Sequence, residues 1–222
     1  MRRLFLMVAI LFAINTLIFA QNDVTKDEIA SLYKQDITKF LGIPVDGTKE
    51  EMMQKLQEKG FQLNDKGVLE GEFNGRDVIV LIGTNKNKVY RIMLMDIIPS
   101  DKNSIKIRFN NLCSQFFNNK KYITYSKEEE LIIPDEEDIS YNMVVHNKQY
   151  KASFRQAPDF DIYASIHLKG DIPLTKEEEI VLMTNAVANK TVWFKIEQLS
   201  SDGYVIVMYY DNGNNEANGE DL

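Results

Sequence analysis

Residues 68–82 read VLEGEFNGRDVIVLI and carry the strongest fold signal in the chain. Asn74-Gly75 divides this stretch into two runs that suit strands, and both residues accept the positive φ of a two-residue hairpin turn. The second run has apolar side chains on both faces, with Val78, Val80 and Ile82 on one and Ile79 and Leu81 on the other. The stretch therefore predicts an antiparallel hairpin that is either covered on two sides or presents one side to a partner.

A second two-residue turn is predicted at Asn147-Lys148. In that register pairs such as Val145 with Tyr150 lie on an apolar side, and the intervening pairs lie on a mostly polar side. A half-buried antiparallel sheet requires this alternation. The next strand is predicted over residues 161–169, with Tyr163 on its outward row. The sorting of residues onto two faces depends on this hairpin, and without it the binding hypothesis stated below loses its basis.

A last hairpin is predicted from strands over residues 191–198 and 204–210, joined through residues 200–203. One row of its first strand is apolar and is expected to face the helices: Val192, Phe194 and Ile196. Because strand side chains alternate, Trp193 then points to the opposite face.

The side chains predicted to surround Trp193 define the candidate partner-binding surface. Tyr204, Ile206, Met208 and Tyr210 form an alternate row on the neighbouring strand. Aromatic residues are enriched at the energetic centres of protein interfaces. The predicted partner-binding residues are Trp193, Tyr210, Met208, Ile206 and Tyr163. The alternative is a second core, closed by the first two helices or by the C-terminal tail.

Three helix starts carry a capping box, in which a hydroxyl and a carboxylate three residues later satisfy free backbone N–H groups. A further amphipathic helix is predicted over residues 104–118. Helices separate runs of strands, and this order favours an α+β fold in which helices pack on one face of an antiparallel sheet. The three capping pairs are Thr25 with Glu28, Thr48 with Glu51, and Thr175 with Glu178.

The order of elements predicts two approximate helix-plus-three-strand halves, over residues 21–126 and 139–210, the second of which ends in the last hairpin. The acidic segment 127–138 is expected to link the halves. Residues 211–222 are acidic and rich in asparagine without an apolar face, so they are expected to form a frayed tail.

The first 20 residues are typical of a secretory signal peptide. A basic pair, Arg2 and Arg3, precedes an apolar run over residues 4–19, and Ala20 stands before polar residues. The run is shorter than the roughly 20 residues that a membrane-spanning helix needs. We expect a periplasmic or secreted protein that is not stably inserted in the membrane after cleavage at Ala20. An uncleaved anchor is the alternative.

Composition narrows the classes of partner and of chemistry. The formal net charge is −7, from 26 basic and 33 acidic residues, and the chain has no basic cluster. This balance argues against nucleic acid as a partner. Cys113 is the single cysteine, so an internal disulfide cannot form. Its position on the apolar side of the helix at 104–118 indicates a buried, unreactive thiol.

Two short segments resemble known exported proteins. Residues 41–48, with Glu51-Met52 and residues 56–60, look like the opening of repeats in the beta-lactamase-inhibitor-like group. In that group a helical pair precedes an antiparallel sheet whose face binds another protein. Residues 209–212 and 218–222 are similar to the ends of uncharacterised exported proteins of Bacteroidota. The resemblance implies a protein-binding role, but no motif here carries a known inhibitory residue.

We predict no catalytic set, no metal site and no cofactor. His146 and His167 are the only histidines, and the predicted register keeps them two strand spacings apart, too far to share a metal without leaning together. Three acidic runs could hold paired carboxylates, but charge runs in loops and at helix starts are usually solvated. These runs are 128–130, 135–138 and 177–179.

The function expected from these patterns is that of an exported, non-catalytic module that binds an unknown protein or peptide through an exposed sheet face. One alternative is an exported hydrolase of polysaccharide or peptide, which requires two acids converging in a cleft. Another is a small-molecule or lipid carrier, which requires an enclosed apolar pocket.

Overall fold

The computed structural model describes residues 25–167, 174–201 and 203–217. Eight of its strands form one antiparallel sheet, and the first two pair only with each other. The strands are β1 (Lys39–Phe40), β2 (Ile43–Pro44), β3 (Gln62–Leu63), β4 (Leu69–Phe73), β5 (Arg76–Asn85), β6 (Lys88–Asp96), β7 (Tyr122–Ile123), β8 (Lys151–Gln156), β9 (Lys190–Gln198) and β10 (Tyr204–Asn212). The order in the large sheet is β3-β4-β5-β6-β10-β9-β8-β7.

The described residues also form seven helices, which precede or interrupt the runs of strands. They are α1 (Lys26–Tyr33), α2 (Lys49–Glu58), α3 (Lys102–Asn118), α4 (Glu128–Leu131), α5 (Ile139–His146), α6 (Phe160–His167) and α7 (Lys176–Ala188).

Local sequence signals account for several of these elements. Asn74 and Gly75 have φ angles of 52° and 69° and form the predicted tight turn between β4 and β5. All three predicted capping boxes are present, at the starts of α1, α2 and α7. The helix predicted over residues 104–118 begins two residues earlier, because the side chain of Asp101 accepts hydrogen bonds from the backbone N–H groups of Asn103 and Ser104.

The helices close one face of the sheet over a continuous hydrophobic core. One cross-strand row on this face consists of Val80, Leu94, Met208, Phe194 and Ala152. These residues belong to the same buried cluster as three side chains of α3, namely Phe109, Leu112 and Phe116. The predicted α+β architecture, an antiparallel sheet with helices on one face, is therefore confirmed.

The hairpin predicted at Asn147-Lys148 is wrong. Residues 139–146 form α5, whose N-terminus is capped by the Asp138 side chain, and Asn147 takes a left-handed conformation (φ 51°) just after the helix. Positive φ at an asparagine ends a helix as readily as it turns a hairpin, so the local signal was ambiguous. The predicted second strand does exist as β8, but it pairs with β9 and β7.

The strand predicted over residues 161–169 is also wrong. This segment is helical as far as residue 167, and residues 168 and 169 lie outside the described part of the chain. Tyr163 is buried in a small cluster with Ile29 and Tyr33 of α1, with its ring 5.0 Å from that of Tyr33. An apolar run this short does not distinguish a strand from a buried helix, and here helix packing decides.

The order of strands in the sheet is the same when it is followed inward from either edge. From one edge β3 to β6 follow in chain order, from the other edge β7 to β10 do the same, and the two sets meet where β6 pairs with β10. Each set is preceded by a helix, α2 or α3. The segment predicted as a link packs on α3, because the side-chain amide of Asn110 bonds to both the backbone N–H and the carbonyl of Ile133 at 2.8 Å.

Candidate functional site

The register of the last hairpin changes which residues accompany Trp193. Gln198 pairs with Tyr204, so the connection spans residues 199–203, and Trp193 pairs with Tyr209. The predicted strand bounds leave the same connection, but the row of Trp193 was matched with the wrong alternate row of the neighbouring strand, which is an error of one residue in register. The prediction that Ile206, Met208 and Tyr210 share the face of Trp193 is therefore wrong: all three are buried in the helix-covered core.

The side of the sheet opposite that core carries a stripe of apolar side chains, which we call the open face: Ile79, Leu81, Met93, Met95, Trp193, Val205, Val207 and Tyr209. None of them belongs to either hydrophobic cluster of the described residues. Along β9, fully buried and half-buried positions alternate from Lys190 to Glu197, and Trp193 is on the half-buried row. Leu81 is 41% exposed. One side of the sheet is thus covered and the other is accessible to solvent.

Two residues of the open face, Val205 and Val207, are nevertheless buried. They are short and lie on the central strand β10, where Val207 stands between the longer cross-strand neighbours Met95 and Lys195. Neighbours at this spacing can cover a valine without any further layer.

A stack of two aromatic rings lies near the centre of the open face. The rings of Trp193 and Tyr209 are 3.8 Å apart between centroids and 12° from parallel. The indole N–H of Trp193 donates a hydrogen bond of 2.8 Å to Asp211, which also accepts two hydrogen bonds from the guanidinium of Arg91. These hydrogen bonds raise the pKa of Arg91. The stacked rings are therefore held in one orientation by contacts within the sheet.

The indole of Trp193 has a neighbour on each of its two faces. Tyr209 occupies one, and the ammonium of Lys151 lies 4.1 Å from the ring centroid on the other. The positive charge of this ammonium is attracted by the quadrupole of the indole ring, which stabilises the contact. A sugar ring that stacks on tryptophan needs a free face, whereas this arrangement presents the ring edges outward. Both faces of the indole are therefore occupied within the protein itself.

A second feature is a groove of about 860 Å³ at the end of the sheet where β8 ends and β9 begins. At its base the ammonium of Lys190 lies 2.6 Å from a carboxylate oxygen of Asp36, and both side chains are almost fully buried. The other Asp36 oxygen accepts a hydrogen bond from the hydroxyl of Tyr163 at 2.7 Å. Sequence reasoning missed this network, because Asp36 and Lys190 are far apart in the chain.

Four charged side chains of the groove form two ion pairs. Burial lowers the pKa of Lys190, partly offset by its ion pair with Asp36. Lys39 pairs with Asp159 and lowers the pKa of that carboxyl. A hydrolytic acid pair needs one carboxyl that holds its proton at neutral pH, which requires a raised pKa. The groove is open, and seven of its 18 lining residues are charged, whereas a carrier has an enclosed apolar pocket.

The remaining candidates are separate from both features. The thiol of Cys113 is buried in the main core beneath α3, and His146 is exposed at the end of α5, with its ring 5.3 Å from that of Tyr141. The side chain of His167 lies outside the described part of the structure.

We expect Cys113 to be unreactive in the folded protein. Burial raises its pKa to about 12, so hardly any thiolate forms near neutral pH, and the sulfur is also inaccessible. Ellman's reagent at pH 8 should modify less than about a tenth of the thiol in native protein within an hour, and all of it in urea. Rapid labelling of folded protein would contradict the buried position.

No protein-family model matches this chain, and neither the curated proteins nor the solved structures include a significant match. Among the described helices, none is both long and apolar enough to cross a membrane.

Proposed function

We propose that this protein is an exported, non-catalytic module that binds another protein or a peptide through the open face of its sheet. Export is inferred from the signal-like segment over residues 1–20. The hairpin predicted at Asn147-Lys148 does not support the binding hypothesis, because a helix ends at this position. Its support is the asymmetry of the sheet, whose helix face is closed and whose other face carries an accessible apolar stripe.

The fixed conformations of several side chains on the open face also favour a protein partner. Trp193, Tyr209, Arg91 and Asp211 hold one another by stacking and hydrogen bonds. Binding then restricts few additional rotamers, and the entropic cost of association is reduced. Tryptophan, tyrosine and arginine are also the residue types that most often dominate binding energy at protein interfaces.

Site-specific photo-crosslinking in the cell of origin tests the proposal. A photoreactive amino acid at Leu81, which is exposed on the open face, should form covalent adducts with a bound protein. The matched control is Ile107, an exposed apolar residue on α3, which should form few adducts. Combining the Leu81 probe with Trp193→Ala should reduce adduct formation at least about fivefold if Trp193 is an energetic centre.

Two results would overturn the proposal. Equal adduct yields from positions 81 and 107 would mean that the open face has no preferred partner. Adducts at position 81 that persist unchanged with Trp193→Ala, in a variant that thermal unfolding shows to be folded at the temperature of the experiment, would mean that the aromatic stack is not part of the contact.

A further inference from the structure

We infer that the occupant of the open face is a second copy of this chain. The two sheets would pack face to face, related by a two-fold axis that runs parallel to the strands between β6 and β10. This inference rests on the proposed function, because it requires the open face to be an interface.

The charges on the open side of the sheet are segregated by flank. The flank formed by β4 and the start of β5 presents three carboxylates, Glu70, Glu72 and Asp77. The opposite flank presents three cations and one carboxylate: Lys151, Arg155, Lys195 and Glu197, of which the last is paired with Lys195. The apolar stripe lies between the two flanks. A partner that matches this surface needs the same pattern in reverse.

A second copy supplies that reversed pattern. One cross-strand row reads Glu70, Ile79, Met95, Val207, Lys195, Lys151 from β4 to β8. Rotation about an axis parallel to the strands reverses the row in the facing copy. Glu70 of each copy then lies over Lys151 of the other, Ile79 lies over Lys195, whose ammonium is paired with Glu197, and Met95 lies over Val207. The next row along the strands brings Asp77 over Glu197, so one pair of like charges remains in this orientation. A two-fold axis across the strands would instead place each charged flank over the same flank of the other copy, so the charges favour the axis parallel to the strands.

The neighbouring row is complementary in the same orientation. It reads Leu81, Met93, Tyr209 and Trp193 from β5 to β9. Reversal places Leu81 over Trp193 and Met93 over Tyr209, so aliphatic side chains meet aromatic edges at the centre. Each contact occurs twice, as a two-fold interface requires. Packed sheets of this kind lie about 10 Å apart.

The size of the surface is sufficient for a stable dimer. Six strands from β4 to β8 span about 24 Å, and nine residues of a strand extend about 27 Å, giving a flat footprint of about 650 Å². Because side chains protrude from the sheet, the accessible area is larger than this flat footprint and approaches the roughly 800 Å² per partner of a standard interface. Edge-to-edge pairing is less favourable, because the outer strands β3 and β7 have two residues each.

Sedimentation equilibrium on the purified protein, processed by its own host, tests the inference. We expect a species of twice the chain mass over a micromolar concentration series. Lys151→Glu would oppose two carboxylates at both symmetry-related contacts and should weaken the dimer at least about tenfold. Adding Glu70→Lys to Lys151→Glu restores the opposite charges in swapped positions and should recover the dimer.

The control variant is Lys120→Glu, which makes the same charge change at an exposed position before β7. It should leave the dimer constant unchanged, and thermal unfolding should verify that each variant is folded. A dimer that is lost with Lys151→Glu and is not restored by Glu70→Lys would contradict the proposed orientation.

Two further outcomes separate this inference from the function on which it rests. A monomer at all concentrations that still forms Trp193-dependent adducts from position 81 would overturn self-association alone, leaving a foreign partner on the open face. A dimer insensitive to both Lys151→Glu and Trp193→Ala would place the contact elsewhere and overturn self-association through this face.

Discussion

Replacing Phe194 with alanine is expected to lower the free energy of unfolding by about 4 kcal/mol. Phe194 is fully buried at the middle of β9, and its ring lies 5.2 Å from that of Phe109 and 5.6 Å from that of Phe116. Alanine would leave a cavity between the sheet and α3 that the packed helix cannot fill by moving slightly. Since domains are stable by only about 5 to 15 kcal/mol, this loss is large.

Trp193→Ala is the matched control at the adjacent position on the same strand. Trp193 lies on the open face and is half-buried, so its removal should cost less than about 2 kcal/mol, mainly the ring stack and one hydrogen bond. Urea unfolding followed by circular dichroism measures both variants. If Trp193→Ala proved as destabilising as Phe194→Ala, the open face would be a second core and the assignment of the two faces would fail.

Asp36→Asn is expected to cost about 3 to 5 kcal/mol, because it leaves the ammonium of Lys190 buried without a counter-charge. Only 2% of the Lys190 side chain and 1% of the Asp36 side chain are exposed. The double variant Asp36→Asn/Lys190→Met removes the unpaired charge and should recover most of the loss. The exposed surface pair of Lys26 with Glu178 is the control, and Lys26→Ala should leave the free energy of unfolding almost unchanged.

The loss of stability caused by Asp36→Asn should also become smaller as the pH rises. Burial already holds the pKa of Lys190 below the ordinary lysine value, and loss of Asp36 lowers it further. The unfolded chain then binds more protons than the folded one between the lowered pKa and about 10.5, so the stability of the variant rises with pH in that window. Its deficit relative to the parent should be smaller at pH 10 than at pH 7. A deficit that grew with pH would contradict the buried ion pair.

Helix starts, turns and strands that are marked by sequence signals within a few residues were predicted correctly. The turn at Asn74-Gly75, the capping boxes and the two strands of the last hairpin all depend on residues close together in the chain. Residues 140–146 and 161–169 were predicted as strands, but 140–146 and the described part of the second segment, 161–167, are helical. Each apolar run is short and compatible with either period. For the same reason Tyr163 was placed on the sheet, although it packs between helices.

The candidate site was predicted in part. Alternation along β9 correctly placed Trp193 opposite Val192, Phe194 and Ile196. The neighbours of Trp193 depend on the register between β9 and β10. An error of one residue in that register predicted Ile206, Met208 and Tyr210 on its face, where the structure has Val205, Val207 and Tyr209. The two flanks of opposite charge could not be predicted at all, because β4 and β8 occupy distant places in the sheet order.

The class of the fold, the position of its clearest hairpin, the caps of three helices and the outward direction of Trp193 all follow from the amino-acid sequence. Each of these features depends on backbone preferences or on periods within a few residues. The neighbours of each strand, the face that the described residues leave uncovered and the contact of Asp36 with Lys190 emerge only in the folded chain. These features arise from contacts between segments far apart in the chain, whose energies depend on the packing of the whole molecule and leave no local pattern.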